Sequence, residues 1–441
     1  MRFTTSEIAE VVDGTVHGPE TTIDGSNQDS RSLQPGQLFI PLVAERDGHD
    51  FIERAVADGA SAYLTHETSK LPSDQGGATA VFVSDTTTAM RDLAKAARAK
   101  IDGPVVGITG SVGKTSTKDL LAGAVAQSLK THWSAKSFNN EIGVPLTILN
   151  APDATEAAII EMGARGIGHI TELCNMASPT VGIVTTVAGA HTGEFGSVEN
   201  IAIAKGELID ALPSAGLAVL NGDNSLVAGM AERSQAPVLT FGHQAGNDVR
   251  IESVELDDEL RATFAISSDW GRVVARPPTR GAHMATNVAA AVGTALWMGV
   301  PPEAVEAGME LVEVSPWRMD VRRAAGGGLV INDSYNANPT SMKGALDSLG
   351  RLRHTRKVAV LGYMGELGDD EAEDHLGVAN AARAVGAEII TVGTDLYGVQ
   401  PLAEPSELLD LVGPVNEDVA VLVKGSRSAG LEVLAEALLL R

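Results

Sequence analysis

The segment with the clearest chemical potential is a glycine-rich turn between an apolar run and a helical pattern. The run over residues 105–109 predicts a buried strand, and the pattern from Lys114 to Lys130 predicts a helix. In this arrangement backbone N–H groups and the helix dipole attract a phosphate, Lys114 adds a positive charge, and the Thr115 hydroxyl can hold Mg²⁺. The predicted nucleotide-binding residues are Thr109, Gly110, Ser111, Val112, Gly113, Lys114, Thr115 and Ser116.

One position departs from the general P-loop pattern. Ile108 stands where that pattern has a glycine, five residues before Gly113. A bare Gly-x-x-Gly-Lys-Thr segment can also be an ordinary turn that opens a helix. The strand before it and the Lys-Thr pair favour nucleotide binding.

Polar segments interrupt the apolar sequence that follows the turn. They are centred on Asn139-Asn140, Glu161, His191 and Lys205. A carboxylate at a strand end beside a phosphate loop suits Mg²⁺, because the metal must bridge phosphate oxygens. Each residue also has a simpler interpretation. Glu161 could cap a helix or form a surface salt bridge, His191 could be a hydrogen-bonded structural histidine, and Lys205 could lie on a helix surface.

The elements that position these residues predict an α/β fold with three domains, over residues 1–101, 102–313 and 314–441. The first mixes short strands and helices. In the second, strands alternate with helical stretches, which predicts a parallel sheet with helices on both faces. An antiparallel meander is expected over residues 248–274 of this domain.

The third domain shows another α/β series. Its predicted strands are Leu329–Asp333, Lys357–Leu361, Glu388–Val392 and Asp418–Lys424. Four strands with right-handed crossovers make a small Rossmann-like domain, and ligands of such sheets sit at the carboxyl ends of the strands.

Composition excludes several function classes. The 441 residues include 57 acidic and 33 basic ones, and the net charge of −24 argues against a nucleic-acid or membrane-surface partner. A single cysteine excludes an internal disulfide and is compatible with a reducing compartment. With neither a charged-then-apolar leader nor an 18-residue apolar run, we expect a soluble cytoplasmic protein without membrane insertion. We also expect a monomer that acts on small molecules.

This series of motifs resembles the Mur ligases, the ATP-dependent amide-forming enzymes of peptidoglycan precursor synthesis. The shortened P-loop of that family accounts for Ile108, and the segments at residues 139–145, 161–164 and 190–197 follow in the family's order. The segment Tyr335-Asn336-Ala337-Asn338-Pro339 resembles that of the members that add D-alanyl-D-alanine to a UDP-N-acetylmuramoyl tripeptide. Asp29-Ser30-Arg31 and Asp47-Gly48-His49-Asp50-Phe51 resemble the domain that holds the UDP-sugar.

The resemblance implies a reaction in which ATP phosphorylates the tripeptide carboxylate and the dipeptide amine then attacks the acyl phosphate. It implies two Mg²⁺ ions held by Thr115, Glu161, His191 and Lys205, with Lys205 carbamylated by CO₂ so that a cation becomes an oxygen ligand. It also implies contacts to ATP by Asn287, Arg318 and Asp333. The implied substrate-binding residues are Ser30, Arg31, Asn139, Asn140, Asn336, Asn338 and Lys424.

Two other functions are alternatives to this interpretation, and several positions depart from the family pattern. Folylpolyglutamate synthase has the same chemistry, but the amino-terminal domain and the segment 336–339 argue against it. A P-loop ATPase switch needs neither second-metal residues nor a third domain. Met284 stands where the family usually has Asn, Trp317 stands where it has Gly, and Arg318 could instead pair with Asp320 at the surface.

Overall fold

Three α/β units follow one another in the computed structural model, which describes residues 1–72, 77–135, 137–189, 192–402 and 407–441. Each unit is built around its own sheet or sheets, and each sheet falls within one of the three predicted residue ranges. The predicted fold class is confirmed.

The amino-terminal unit has a two-stranded sheet, β1 with β3, and a five-stranded sheet in the order β2-β7-β6-β5-β4. Its strands are β1 (Arg2–Thr4), β2 (Thr15–His17), β3 (Thr22–Asp24), β4 (Ser26–Asn27), β5 (Leu38–Phe39), β6 (Ala62–Thr65) and β7 (Thr79–Phe82). Its helices are α1 (Thr5–Val12), α2 (Ile52–Ala57) and α3 (Thr86–Ala99).

The central unit contains a nine-stranded sheet. Its strands are β8 (Val105–Thr109), β9 (Thr131–Trp133), β10 (Ala157–Glu161), β11 (Val181–Val184), β12 (Leu217–Asn221), β13 (Val238–Gly242), β14 (Val249–Leu256), β15 (Ala262–Ser268) and β16 (Gly271–Ala275). Strands β8 to β14 pair in parallel, and β15 and β16 continue the same sheet through two antiparallel pairings, β14 with β15 and β15 with β16. The predicted parallel sheet and meander are therefore confirmed.

Helices cover both faces of this sheet. They are α4 (Lys114–Ala126), α5 (Gly143–Leu149), α6 (His169–Ala177), α7 (Thr192–Phe195), α8 (Val198–Asp210), α9 (Ser225–Ala228), α10 (Ala285–Trp297) and α11 (Pro302–Glu310). Apolar residues of α4, α10 and α11 form a core on one face. Those of α5, α6 and α8 pack on the other face, which buries the strands on both sides as expected for a parallel sheet.

The carboxyl-terminal unit has a five-stranded sheet in the order β17-β18-β21-β19-β20. Its strands are β17 (Asp320–Arg323), β18 (Leu329–Asn332), β19 (Arg356–Gly362), β20 (Ala387–Val392) and β21 (Val419–Lys424). Its helices are α12 (Pro339–Arg351), α13 (Glu371–Ala384), α14 (Glu407–Val412) and α15 (Glu432–Leu439). The four predicted strands are parallel. The fifth strand, β17, is antiparallel and consists mostly of charged residues, and the sequence did not predict it.

Strand order brings the chemical segments together. In the central sheet β11 and β10 flank β8, so the loops that leave these three strands share one edge. In the carboxyl-terminal sheet, β21 lies between β18 and β19. Ligands of open α/β sheets bind beyond such carboxyl ends. Among the described residues, no helix combines the length and apolar character needed to cross a bilayer.

Candidate active site

A cleft of about 900 Å³ lies between the central and carboxyl-terminal units. Both units contribute polar side chains to its walls. Predicted residues that line it are Ser111, Val112, Gly113, Lys114, Thr115, Ser116, Asn139, Asn140, Glu161, Lys205, Asn287, Arg318, Asp333, Asn336, Asn338 and Lys424. Thr109 and Gly110 lead directly into this group at the end of β8.

The glycine turn is held in a conformation that requires glycine at two positions. Gly110 has φ +147°, and a Cβ there would lie 2.0 Å from Oγ1 of Thr185. Gly113 has φ +92°, and a Cβ there would lie 2.4 Å from Oδ1 of Asn287. Since L side chains rarely adopt such φ values, both glycines are required for this close approach. Ile108, by contrast, is a buried residue of β8 paired with Glu161, so the shortened motif reflects a turn that begins later.

Lys114 and Thr115 open α4 directly after this turn. The Lys114 ammonium donates to the Gly110 carbonyl at 2.6 Å, and burial lowers its pKa below the ordinary value. Lys114 therefore lies folded over the turn whose backbone would receive a phosphate.

Arg318 reaches across the cleft from the carboxyl-terminal side. Its Nη2 donates to Oγ1 of Thr115 at 2.9 Å, and its guanidinium lies 4.2 Å from the ring centroid of Tyr335. The alternative surface pair with Asp320 is wrong, because Asp320 pairs with Arg322 at 3.0 Å. A cation is thus placed beside the phosphate turn.

Glu161 ends β10 with its carboxylate in the cleft. Oε1 accepts a hydrogen bond from Nδ2 of Asn139 at 2.7 Å. Oε2 is buried and has no hydrogen-bond partner among the described residues. Neither a helix cap nor a surface salt bridge describes a side chain that is 1% exposed at a strand end. An unpartnered carboxylate oxygen is a donor suited to Mg²⁺.

Lys205 lies in α8 with only 2% of the residue exposed. The surface-lysine interpretation is therefore wrong. Burial, with a smaller contribution from Lys114, lowers the Lys205 pKa to about 7. Near neutral pH a large fraction of this amine is uncharged and therefore nucleophilic.

Three predicted residues are not placed in the cleft. His191 lies outside the described residues. Arg31 is exposed and forms an ion pair with Asp29 at 2.7 Å, and Ser30 is buried beside it in the amino-terminal unit. Neither Ser30 nor Arg31 lines the cleft as described.

A carboxylate at the end of β18 organises the opposite wall. Oδ2 of Asp333 lies 2.6 Å from Nζ of Lys424, and Oδ1 accepts from the Met319 backbone N–H at 2.9 Å. Nζ of Lys424 also donates to the Asn336 carbonyl at 2.8 Å. Both oxygens of Asp333 are thus already engaged within the protein.

Two predicted asparagines also have structural bonds. Oδ1 of Asn140 accepts from the Gly143 N–H at 2.9 Å, at the start of α5. Oδ1 of Asn338 accepts from the Ser341 N–H at 2.9 Å, as the N-cap of α12. Asn338 thus orders the start of α12 as its N-cap, and Asn140 holds the turn that leads into α5.

Other cleft residues were not predicted as site residues. Ser137 lies 3.4 Å from Thr115 and 3.5 Å from Arg318 through its hydroxyl. Glu366 lines the cleft with φ +67°, and its carbonyl accepts from the Gly193 N–H at 3.3 Å. Ser137 lies two residues before the Asn139-Asn140 segment, so its polar character near that segment was a usable signal. A left-handed backbone at a glutamate, as at Glu366, has no sequence signal.

A polar contact ties the two units together behind the cleft. Asp119, in the second turn of α4, accepts from the Ser315 backbone N–H at 2.9 Å. Asp119 also pairs with Lys118 at 2.9 Å, and both side chains are buried. The segment that leads to Arg318 is therefore attached to the helix that follows the phosphate turn.

Comparison with known families gives two matches. The Mur ligase middle domain matches residues 108–295. The Mur ligase glutamate ligase domain matches residues 317–437. These ranges correspond to the two units that form the cleft.

Curated relatives match over the full length. UDP-N-acetylmuramoyl-tripeptide--D-alanyl-D-alanine ligases of Bacillus subtilis and Escherichia coli are each 32% identical, covering 100% and 99% of this chain and 99% and 98% of those proteins. The ligase of the same name from Mycobacterium tuberculosis is 34% identical and covers 99% of this chain and 98% of that protein.

Solved structures agree. A crystal structure of MurF from Acinetobacter baumannii has a TM-score of 0.88 at 28% identity, covering 100% of this chain and 99% of that one. MurF from Thermotoga maritima in complex with ADP has a TM-score of 0.80 at 25% identity, covering 94% and 97%. Mycobacterium tuberculosis folylpolyglutamate synthase complexed with ADP shares the fold alone. It has a TM-score of 0.64 at 17% identity, covering 80% of this chain and 94% of that one. The chain therefore belongs to the Mur ligase family, among the UDP-N-acetylmuramoyl-tripeptide--D-alanyl-D-alanine ligases.

Proposed function

We propose that this chain joins D-alanyl-D-alanine to the terminal carboxylate of a UDP-N-acetylmuramoyl tripeptide, with ATP as the phosphoryl donor. The observation that carries the proposal is the cleft. It places the glycine turn, Lys114 and Glu161 of one unit opposite Arg318 and Lys424 of another. Amide formation of this kind needs a site for a nucleotide and a site for two peptide substrates, and two facing units supply both.

The reaction proceeds in two displacements. The tripeptide carboxylate oxygen attacks the γ-phosphorus of ATP, and ADP leaves. The dipeptide amine then attacks the acyl carbon, inorganic phosphate leaves, and the amine releases a proton. Lys114 and Arg318 neutralise charge on the transferring phosphoryl group, and the loops of the two units align the reactants.

The donor set in the cleft fits Mg²⁺. Oε2 of Glu161, which has no hydrogen-bond partner in the part of the chain that the structure describes, and the Thr115 hydroxyl would be oxygen ligands beside the glycine turn. A bound Mg²⁺ supplies charge neutralisation to phosphate oxygens. We assign one ion to Thr115 and Glu161, and a second to His191 and Lys205.

Lys205 takes part as a carbamate. Its burial and its pKa of about 7 support this, because only the uncharged amine reacts with CO₂. Lys205→Ala should abolish ligation, and bicarbonate should not restore it. In ¹³CO₂-equilibrated buffer, wild type should show a carbamate carbonyl resonance that Lys205→Arg lacks. Full activity of Lys205→Ala would remove the carbamate from the mechanism.

Amine dependence of phosphate release separates the ligase from an ATPase switch. We expect release from ATP only when both UDP-muramoyl tripeptide and D-alanyl-D-alanine are present, with one amide formed per phosphate. Single D- or L-amino acids serve as controls for acceptor choice. Equal phosphate release without an acceptor would favour the switch and contradict the ligase.

The remaining assignments concern substrate binding, cellular location and oligomeric state. Residues 1–101 hold the UDP-sugar through Ser30 and Arg31, residues 102–313 hold ATP with Asn287, and residues 314–441 receive the peptide ends through Asn336, Asn338 and Lys424. Asn139 and Asn140 shape the tripeptide side. The protein acts in the cytoplasm as a monomer. Arg31→Ala should weaken binding of the UDP-linked substrate without changing ATP affinity, and unchanged substrate affinity would contradict this placement.

A further inference from the structure

A cluster of metal-binding side chains lies in the amino-terminal unit, among residues that do not line the cleft. His49, His66 and Glu67 each offer one ligand atom, and these atoms lie within 4.8 Å of one another. His49 is in the short 3₁₀ turn Gly48–Phe51, and His66 and Glu67 follow β6. The fold therefore joins two segments that are 17 residues apart in the chain.

The first histidine is oriented as metal-binding histidines are. Nδ1 of His49 lies 2.7 Å from Oδ1 of Asp47, an arrangement in which the ring donates to the carboxylate. Nε2 then carries the lone pair of the ring. Metal-ligating histidines usually donate their other ring N–H to such a carboxylate, which fixes the tautomer and makes the ligand more basic. The ring is fully buried, so it cannot turn away.

The second histidine provides an unsatisfied atom at the same place. Nδ1 of His66 is buried and has no hydrogen-bond partner among the described residues. Its ring centroid lies 4.2 Å from that of His49. The His66 backbone N–H approaches Nε2 of His49 at 3.5 Å, a length at which a hydrogen bond is weak. A buried polar atom without a partner requires an explanation, and an ion is one.

We propose that His49, His66 and Glu67 bind one divalent transition-metal ion, with Zn²⁺ as the best match. Two imidazoles and a carboxylate form a common zinc donor set, whereas Mg²⁺ prefers oxygen ligands. Bonds of about 2.0–2.1 Å require closer ligand spacing than this, so binding draws the 3₁₀ turn towards the end of β6. The ion would cross-link the amino-terminal unit, apart from the ligation chemistry.

Equilibrium dialysis of the full-length chain against Zn²⁺, with excess Mg²⁺ to fill oxygen-lined sites, tests the proposal. We expect one Zn²⁺ per chain and at least a tenfold loss of affinity in His66→Ala and in Glu67→Gln. His243→Ala, which removes an exposed histidine elsewhere, should bind like wild type. Circular dichroism of the metal-free variants checks that they are folded.

Several results would overturn the site. They are absence of stoichiometric Zn²⁺ binding by wild type, wild-type affinity in either His66→Ala or Glu67→Gln, and loss of the ion in Glu161→Gln, which would locate it in the cleft. Co²⁺ absorption gives a second readout, because wild type should show the intense visible bands of a tetrahedral site and His66→Ala should not.

Discussion

Lys424 and Asp333 form a buried ion pair of 2.6 Å although they are 91 residues apart in the chain. Their side chains are 2% and 14% exposed. The pair joins the ends of the neighbouring strands β18 and β21, and the second oxygen of Asp333 fixes Met319. Asp333, predicted to contact ATP, has a positioning role that its motif did not reveal.

Removing one partner of this pair should be costly. We expect Asp333→Ala to lower the free energy of unfolding of the carboxyl-terminal unit by about 3–5 kcal/mol, because it leaves the Lys424 ammonium buried and unpaired. Asp333→Asn keeps an acceptor for the Met319 N–H, and Asp333→Leu combined with Lys424→Met removes both charges. In urea unfolding, the double variant should have a higher free energy of unfolding than Asp333→Ala, because it leaves no unpaired buried charge. A loss below about 1 kcal/mol in Asp333→Ala would mean that water replaces the carboxylate.

Lys205 should make stability depend on pH. Its pKa is about 7 in the folded protein against an ordinary 10.5, so between these values the unfolded chain binds a proton that the folded chain lacks. The contribution of Lys205 to the free energy of unfolding therefore rises with pH over that window. Below the window the folded protein carries the full cost of a buried, charged lysine. In CO₂-free buffer, Lys205→Met should gain stability over wild type at pH 6 and lose that gain by pH 10. Lys95→Met, which removes an exposed lysine, is the control, and an equal pH slope in wild type and Lys205→Met would contradict the shifted pKa.

Gly110 should tolerate no side chain. A Cβ at this position would lie 2.0 Å from Oγ1 of Thr185 at φ +147°, so Gly110→Ala must distort the turn. We expect ATP affinity to fall more than tenfold in isothermal titration, with a lower melting temperature. Gly229→Ala, at a glycine with open space and ordinary φ, should leave both unchanged. Wild-type ATP affinity in Gly110→Ala would show that the turn does not receive the phosphates.

Arg318 should matter more than a generic positive charge. We expect Arg318→Ala to lower kcat/KM for ATP by about 10²-fold or more, since it removes a fixed cation beside the phosphate turn. Arg318→Lys should recover part of this loss, because lysine keeps the charge but not the planar group that stacks on Tyr335. Arg322→Ala removes a nearby arginine that pairs with Asp320 and Glu436 and should change kcat/KM less than twofold. Equal effects of the two alanine variants would contradict a specific role for Arg318.

The sequence predicted what local composition determines. The glycine turn, the apolar strands and the acidic residue at the end of β10 were recognisable because each depends on neighbours in the chain. Strand β17 was missed, since it is mostly charged and is defined by pairing with β18. The burial of Lys205 and the engagement of Asp333 depend on distant residues, so no local pattern could indicate them. The cluster of His49, His66 and Glu67 also exists only after folding.

The contact between Asp119 and Ser315 links nucleotide binding to the relative position of the central and carboxyl-terminal units. Asp119 is five residues beyond Lys114 on one helix, and Ser315 precedes Arg318 by three. A nucleotide that moves or orders the start of α4 therefore also affects the hydrogen bond between Asp119 and Ser315, which attaches the carboxyl-terminal unit to this helix. Nucleotide binding and the angle between the central and carboxyl-terminal units should therefore vary together, because the first two turns of α4 contact both the nucleotide site and Ser315.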